Sequence, residues 1–281
     1  MNVDVKDIKP FLLALKEESD YDFTNYSMNS LNRRILKIMN DFRIDFDELV
    51  ERVKEDENFR EKVVKKITVH TTDLFRDADL WLYLREKVIP RYAHKKKIFI
   101  WHPGCSTGQE VYSMMILLNE MNLLKKTEIY GTDLNPDVLE ISRKGEYKFI
   151  FNKNYVSNFD AVINPGKSKA KVNHKKYFEI NEDKDIIVMK DFLKRKPHFK
   201  RMNLVTENNP FKQNFDIIVC RNVIIYFNYD LQNTVFSRFF NSLNEKGCLV
   251  LGAHETIIGT YASYFIKEEK VNFKKTDSIS T

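Results

Sequence analysis

The residues best placed to do chemistry lie in "WHPGCSTGQEVYS", Trp101 to Ser113. An apolar, strand-like run stops at Gly104, small residues follow, and Gly108 opens a helical stretch that carries Glu110. A strand, a glycine-rich turn and a helix bring backbone N–H groups close to a ligand. Two phosphate readings fail on spacing. A dinucleotide fingerprint needs G-x-G-x-x-G and a phosphate loop needs G-x-x-x-x-G-K-[ST], whereas this chain has G-C-S-T-G. A ligand built from an amino acid, a ribose and an adenine, without phosphates, asks for something else. It wants close backbone approach at the turn, an acceptor for an ammonium group, and a carboxylate after the second strand for ribose hydroxyls. Glu110 and Asp133 stand at those two places, and S-adenosylmethionine is such a ligand. Asp133 also suits a second role, capping the helix that begins at Asn135 and Pro136, and both roles stay open. Cys105, Cys220 and Cys248 are far apart and have no histidine at an obvious spacing. They read as small buried residues in a reducing compartment, neither nucleophiles nor a disulfide framework. The histidines lack H-x-x-x-H spacing, so no metal site is expected.

These residues need elements to hold them. From about residue 97, "KIFIWH" reads as a strand, "GQEVYSMMILLNEM" as a helix and "EIYGTDL" as a second strand. "NPDVLEISRKG" has every helix signal: Asn135 as N-cap, Pro136 at the first position and Gly145 past the end. Strand "FDIIVCRN", helix "YDLQNTVFSRFFNSL", strand "GCLVLGA" and a last strand at "YFIKEEKVNF" follow. Strands alternating with helices predict an α/β fold with a mostly parallel sheet covered on both faces. Residues 1–67 instead show helical spacing throughout, as in Val5, Ile8, Phe11, Leu12 and Leu15 or Leu31, Ile35, Ile38, Met39 and Phe42. The expected organisation is a helical domain over 1–67, a linker helix and contact segment over 68–96, and an α/β domain over 97–281. Residues 146–202 break the rhythm and read as an inserted β-subdomain. That segment carries 14 Lys+Arg against 7 Asp+Glu, so its surplus exceeds the whole chain's +6. Such a surplus fits an acidic partner or a solvated lysine-rich face. The scattered charges of the first residues predict no signal peptide, and "YSMMILL" is too short to span a bilayer. A cytoplasmic location without membrane insertion is the expectation.

Four segments together resemble the CheR family, the S-adenosylmethionine-dependent methyltransferases of bacterial chemotaxis receptors. They are "VHTTDLFRD" (69–77), "WHPGCSTGQEVYS" (101–113), "YGTDLNPDVLEISRKGEY" (130–147) and "FDIIVCRNVIIYF" (215–227), in family order, with "FFNSLNEKGCLVLGAHETI" continuing the likeness. The resemblance implies a Rossmann-like methyltransferase domain behind an N-terminal helical domain. It also implies roles. In the family's N-x-T-x-x-x-R this chain has His70, Thr72 and Arg76, so histidine replaces the asparagine. Arg76 would hold the carboxylate of the methionine moiety, Glu110 its ammonium, Asp133 the ribose, and Asn203 with Leu204 the adenine. Gly104 would belong to the cofactor-binding turn, and Arg221 and Asn222 would close the pocket after the fourth strand, with Tyr226 near the transferred methyl. Where the family has two consecutive glutamates, this chain has Gln109 and Glu110. Arg76 beside Asp77 also fits an ion pair at a helix start, Tyr226 a core aromatic, and Asn222 a turn cap.

The implied reaction is methyl transfer to a glutamate side chain, giving a methyl ester, with S-adenosylhomocysteine as the other product. A glutamate of ordinary pKa, about 4.3, is already ionised at neutral pH and needs no base. The implied acceptor is an acidic helical receptor or another protein, drawn by the basic 146–202 segment. A nucleic-acid methyltransferase is disfavoured, because "CRNVIIYF" stands where adenine-N6 enzymes carry an N-P-P-Y or D-P-P-Y box. A non-catalytic, cofactor-sensing scaffold of the same fold is the remaining alternative, supported by His70 and Gln109.

Overall fold

The computed structural model describes residues 7–68, 72–166 and 171–275. Four helices come first: α1 (Lys9–Glu17), α2 (Met28–Phe42), α3 (Phe46–Glu55) and α4 (Glu57–Ile67). Asp45 and Asp56 start α3 and α4 by accepting hydrogen bonds from the Glu48 and Phe59 amides, at 2.9 and 3.0 Å. Each bond satisfies an N–H that has no partner inside the helix. The apolar faces close on a core of their own that includes Phe11, Leu31, Ile35, Leu49, Val53 and Val63.

A short helix α5 (Ala78–Tyr83) leads into the α/β domain. Its elements are β1 (Ile98–Pro103), α6 (Gln109–Glu120), β2 (Thr127–Asp133), α7 (Pro136–Lys144), β3 (Glu146–Lys148), α8 (Tyr155–Ile163), β4 (Phe178–Asn181), β5 (Ile186–Met189), α9 (Asp191–Lys194), β6 (His198–Arg201), β7 (Phe215–Cys220), α10 (Tyr229–Ser242), β8 (Leu243–Leu251), β9 (Phe265–Glu268) and β10 (Val271–Lys274). The main sheet runs β6-β2-β1-β7-β8-β10-β9. Its first five strands are parallel, and β10 and β9 are antiparallel to their neighbours. Strand alternation sends Trp101 to the α10 face and Ile100 to the α6 face. Helix α6 is buried on nearly every side, which is why its sequence carries so little polar patterning.

Two sequence expectations need correction. The "YFIKEEKVNF" stretch is a hairpin, not one strand: Glu268 pairs with Val271 across a turn where Glu269 takes φ +47°. No glycine marks that turn, so the usual hairpin signal is missing. Residues 198–201, expected at the end of the insertion, form β6 and pair with β2. The separate sheet of the insertion, β3-β5-β4, is antiparallel and ends with Met189.

Strand order reverses at β1, between β2 and β7. The crevice beyond the carboxyl ends of strands at such a switch is where open α/β sheets take ligands. The helical domain sits over this crevice. Tyr26 bridges to Phe227, the Ser27 amide donates to the Tyr226 carbonyl at 2.8 Å, and the Asn228 amide donates to the Asn25 carbonyl at 2.8 Å.

Candidate active site

The turn after β1 folds as its composition demands. Gly104, Ser106 and Gly108 all have positive φ, at +70°, +51° and +88°. A Cβ on Gly104 would lie 2.5 Å from Val223 Cγ2, and one on Gly108 would lie 2.9 Å from Ser142 Cβ. Glycine therefore lets the turn press against the loop after β7 on one side and α7 on the other.

Asp133, last residue of β2, ties this turn to the next. Its carboxylate accepts from the Ser106 amide at 2.9 Å and the Asn135 amide at 3.0 Å. The cap of α7 is Asn135, which accepts from the Asp137 amide at 2.9 Å. Asp133 thus steadies two backbone turns while lining a cavity. Beside it, burial first and the Asp133 charge second raise the pKa of the Tyr26 hydroxyl.

Glu110, in the first turn of α6, belongs to a chain of charges. One oxygen lies 3.0 Å from His102 Nδ1 and the other accepts from Arg221 Nη1 at 3.1 Å. Arg221 also donates to the Asp77 carboxylate and, at 3.2 Å, to the Arg76 carbonyl. Burial alone would raise the Glu110 pKa; the His102 hydrogen bond and then the Arg221 charge outweigh it, and the net shift is downward. The linker that brings Arg76 here is strained. Phe75 and Asp77 have φ of +52° and +60°, a conformation that costs a non-glycine residue on the order of 1–3 kcal/mol. Packing holds it: Phe75 is buried, its amide donates to Ser113 Oγ at 2.8 Å, and Trp81 Nε1 donates to the Arg76 carbonyl at 2.9 Å.

Two adjoining cavities result. The larger, about 780 Å³, is lined by Asp133, Asn203, Leu204 and Tyr226 together with Tyr26, Arg34 and Thr68 of the helical domain. The smaller, about 480 Å³, is lined by Thr72, Arg76, Glu110 and Arg221. Gly104, Asn222 and Val223 line both. Every described residue expected in the site therefore lines the cleft that these two adjoining cavities make; His70 lies outside the described residues. Asn203 departs from a simple ligand role. Its Oδ1 accepts from the Val205 amide at 3.0 Å and its Nδ2 donates to the Asp20 carbonyl at 3.2 Å, so the amide shapes the cavity wall. Gln109 is buried, accepts from Thr107 Oγ1 at 2.6 Å and lies away from the cleft lining. Burial raises the Cys105 and Cys220 thiols well above their ordinary pKa, which suppresses thiolate chemistry.

Several residues escaped the sequence reading. His102 was hidden in the strand that ends at the turn. Glu255 organises the whole loop after β7: it accepts from the amides of Asn222, Val223, Ile224, Ile225 and Gly252 at 2.7–3.2 Å. Arg34 of α2 places its guanidinium 5.4 Å from the centre of the Tyr226 ring.

Comparison with known proteins agrees with this geometry. Residues 70–273 match the model described as CheR methyltransferase, SAM binding domain, and residues 6–68 match CheR methyltransferase, all-alpha domain. The chain belongs to the CheR methyltransferase family. Its cofactor is S-adenosylmethionine. A Pseudomonas putida relative named "Putative methyltransferase Cher3" is 33% identical over 280 residues, covering 98% of each chain. Chemotaxis protein methyltransferases from Listeria innocua and Borreliella burgdorferi are 29% and 30% identical, covering 90% and 84% of this CheR chain and 91% and 90% of their own. The cleft fits the cofactor. Its two cavities each offer a carboxylate, Asp133 in one and Glu110 in the other, and buried Ser106 Oγ and Arg221 Nε have no partner among the described residues.

Proposed function

We propose that this CheR protein methylates glutamate side chains of a chemotaxis-type receptor; its Listeria and Borreliella relatives are named chemotaxis protein methyltransferases. The observation that carries the reading is the pair of adjoining cavities, with Glu110 and Arg76 lining one and Asp133 lining the other. In this assignment Arg76 and Thr72 hold the carboxylate end of the cofactor, Glu110 accepts from its ammonium group, and Asp133 accepts from the ribose. Leu204 and the wall set by Asn203 flank the adenine. Bound there, the cofactor supplies an electrophilic methyl on a sulfonium. An ionised glutamate needs no base to attack it, and neither His nor Lys lines the cleft among the described residues. The chain's own task is positioning, which can be worth roughly 7–11 kcal/mol in well-oriented reactions. Tyr226, half-buried where the two domains meet, and Arg34 above it give that part of the cavity a polar, cationic wall.

The inserted subdomain supplies the proposed docking face for an acidic acceptor. Much of its positive charge is already paired: Lys194 with Asp191 at 2.9 Å, Lys176 with Glu120 at 2.7 Å, and Lys196 with Glu128 at 3.8 Å. Arg195, with its side chain 82% exposed, is also within 3.7 Å of the Asp191 carboxylate. A cytoplasmic location belongs to the same proposal; no helix of the described residues is long and apolar enough to cross a membrane. Incubation with tritiated S-adenosylmethionine and membranes from the source cell tests it. Base-labile label on a receptor-sized band is expected. Label on nucleic acid, or cofactor binding without any label, overturns the acceptor assignment.

A further inference from the structure

His102 is fully buried at the end of a central strand, a position that ordinarily takes an apolar side chain. Nδ1 is 3.0 Å from Glu110 Oε1, while Nε2 has no partner among the described residues. An ionised carboxylate only accepts, so Nδ1 carries the proton. His102 does not line the cleft; it stands behind the residue that does.

We propose that His102 is a positioning residue, holding the Glu110 carboxylate turned towards the ammonium-binding end of the cleft against the pull of Arg221. This rests on the cofactor placement above. Without His102, both Glu110 oxygens are free to pair bidentately with the Arg221 guanidinium, withdrawing the acceptor from the ligand. The charged and titratable groups around Glu110 are His102 from β1, Cys105 from the turn, Cys220 and Arg221 from the end of β7, and Asp73, Arg76 and Asp77 from the linker. Of these, His102 is the foremost influence favouring the ionised form, ahead of Arg221. A carboxylate so held binds its cation above its pKa and loses it as pH falls. Removing His102 therefore moves that loss to higher pH.

The test is calorimetric titration of S-adenosylhomocysteine into wild type, His102→Ala, His102→Asn and His102→Gln from pH 4.5 to 8. The asparagine amide stands where Nδ1 stood; the glutamine amide reaches only towards Nε2. The alanine and glutamine variants should bind about tenfold more weakly at pH 7, with the acid loss of affinity at higher pH. The asparagine variant should recover both. If the alanine variant does not fold, the asparagine–glutamine contrast reads the same effect. Wild-type affinity and midpoint in the glutamine variant, or no recovery with asparagine, overturns the role of His102. Weak binding by Glu110→Gln beside an unaffected His102→Gln sinks this inference alone, whereas a wild type that binds no ligand sinks the cofactor placement itself.

Discussion

Replacing Glu255, which does not itself line the cleft, by Gln should loosen the loop after β7 that does. Oε1 of Glu255 accepts from the Val223, Ile224 and Ile225 amides at 2.9, 2.9 and 3.2 Å, and Oε2 accepts from Asn222 and Gly252 at 2.8 and 2.7 Å. Glutamine keeps one accepting oxygen, and its NH₂ must face the other set of donors. The smaller loss is two bonds. Hydrogen bonds to a charged group are worth about 1.5–3 kcal/mol each, so two amount to about 3–6 kcal/mol. Glu255 is half-buried, and water replaces part of that, leaving an expected destabilisation of about 2–4 kcal/mol. Urea unfolding reads it as a lower midpoint at unchanged slope. The same loop carries Asn222, whose φ is +58°, and Tyr226. Cofactor affinity and kcat should therefore fall in the fraction that remains folded. A Glu255→Gln protein within about 0.5 kcal/mol of wild type, the range of an ordinary surface change, would show that the loop is held by something other than this carboxylate.

Gly104→Ala forces a Cβ into a left-handed residue, at about 1–2 kcal/mol, and to 2.5 Å from Val223 Cγ2; calorimetry should show S-adenosylhomocysteine binding lost or weakened at least tenfold. Asp133→Ala leaves the Ser106 and Asn135 amides without their acceptor, costing about 1–3 kcal/mol each. Melting temperature and ligand affinity should fall together, and loss of one without the other would separate the two roles. Tyr226→Phe should lower the single-turnover rate with cofactor affinity nearly intact, whereas Arg76→Ala should weaken cofactor binding; wild-type behaviour in both would return these residues to purely structural status. Arg195→Glu should raise the acceptor KM and reduce its salt dependence with cofactor affinity unchanged, and an unaltered KM at low salt would leave the patch as solvated surface.

What could be read from the sequence was whatever depends on short-range pattern. The N-terminal helices announced themselves by the spacing of their apolar residues, and α7 by its Asn135 cap; Asp45, Asp56 and Asn228 cap α3, α4 and α10 in the structure. The glycine turn and Asp133 were legible because each ends a short run that reads as a strand. His102 and Glu255 were not. His102 sits in a strand whose neighbours are core, and its meaning comes from a carboxylate on the following helix that also meets Arg221, 111 residues further on. Glu255 lies in a loop with no periodicity, and its partners are backbone amides, which every residue but proline carries and which therefore leave no compositional trace.

The helical domain shows the same limit from the other side. Leu31, Ile35, Ile38 and Met39 of α2 bury an apolar stripe that any packed helix would have, so the sequence marks α2 only as amphipathic. Nothing in that stripe says that Tyr26, just before the helix, and Arg34, on its flank, complete a cavity whose far wall is made by Gly104, Asp133 and the loops after β6 and β7. Their role follows from docking. The bridge from Tyr26 to Phe227 and the bond from the Ser27 amide to the Tyr226 carbonyl fix the start of α2 against the loop that Glu255 holds. One carboxylate thereby sets both walls of the cleft: it shapes the loop, and the loop seats the helical domain. The wall made by the glycine turn is thus specified by local motif, while the wall shared with the helical domain is specified by the contact between two domains, and only folding brings that contact into being.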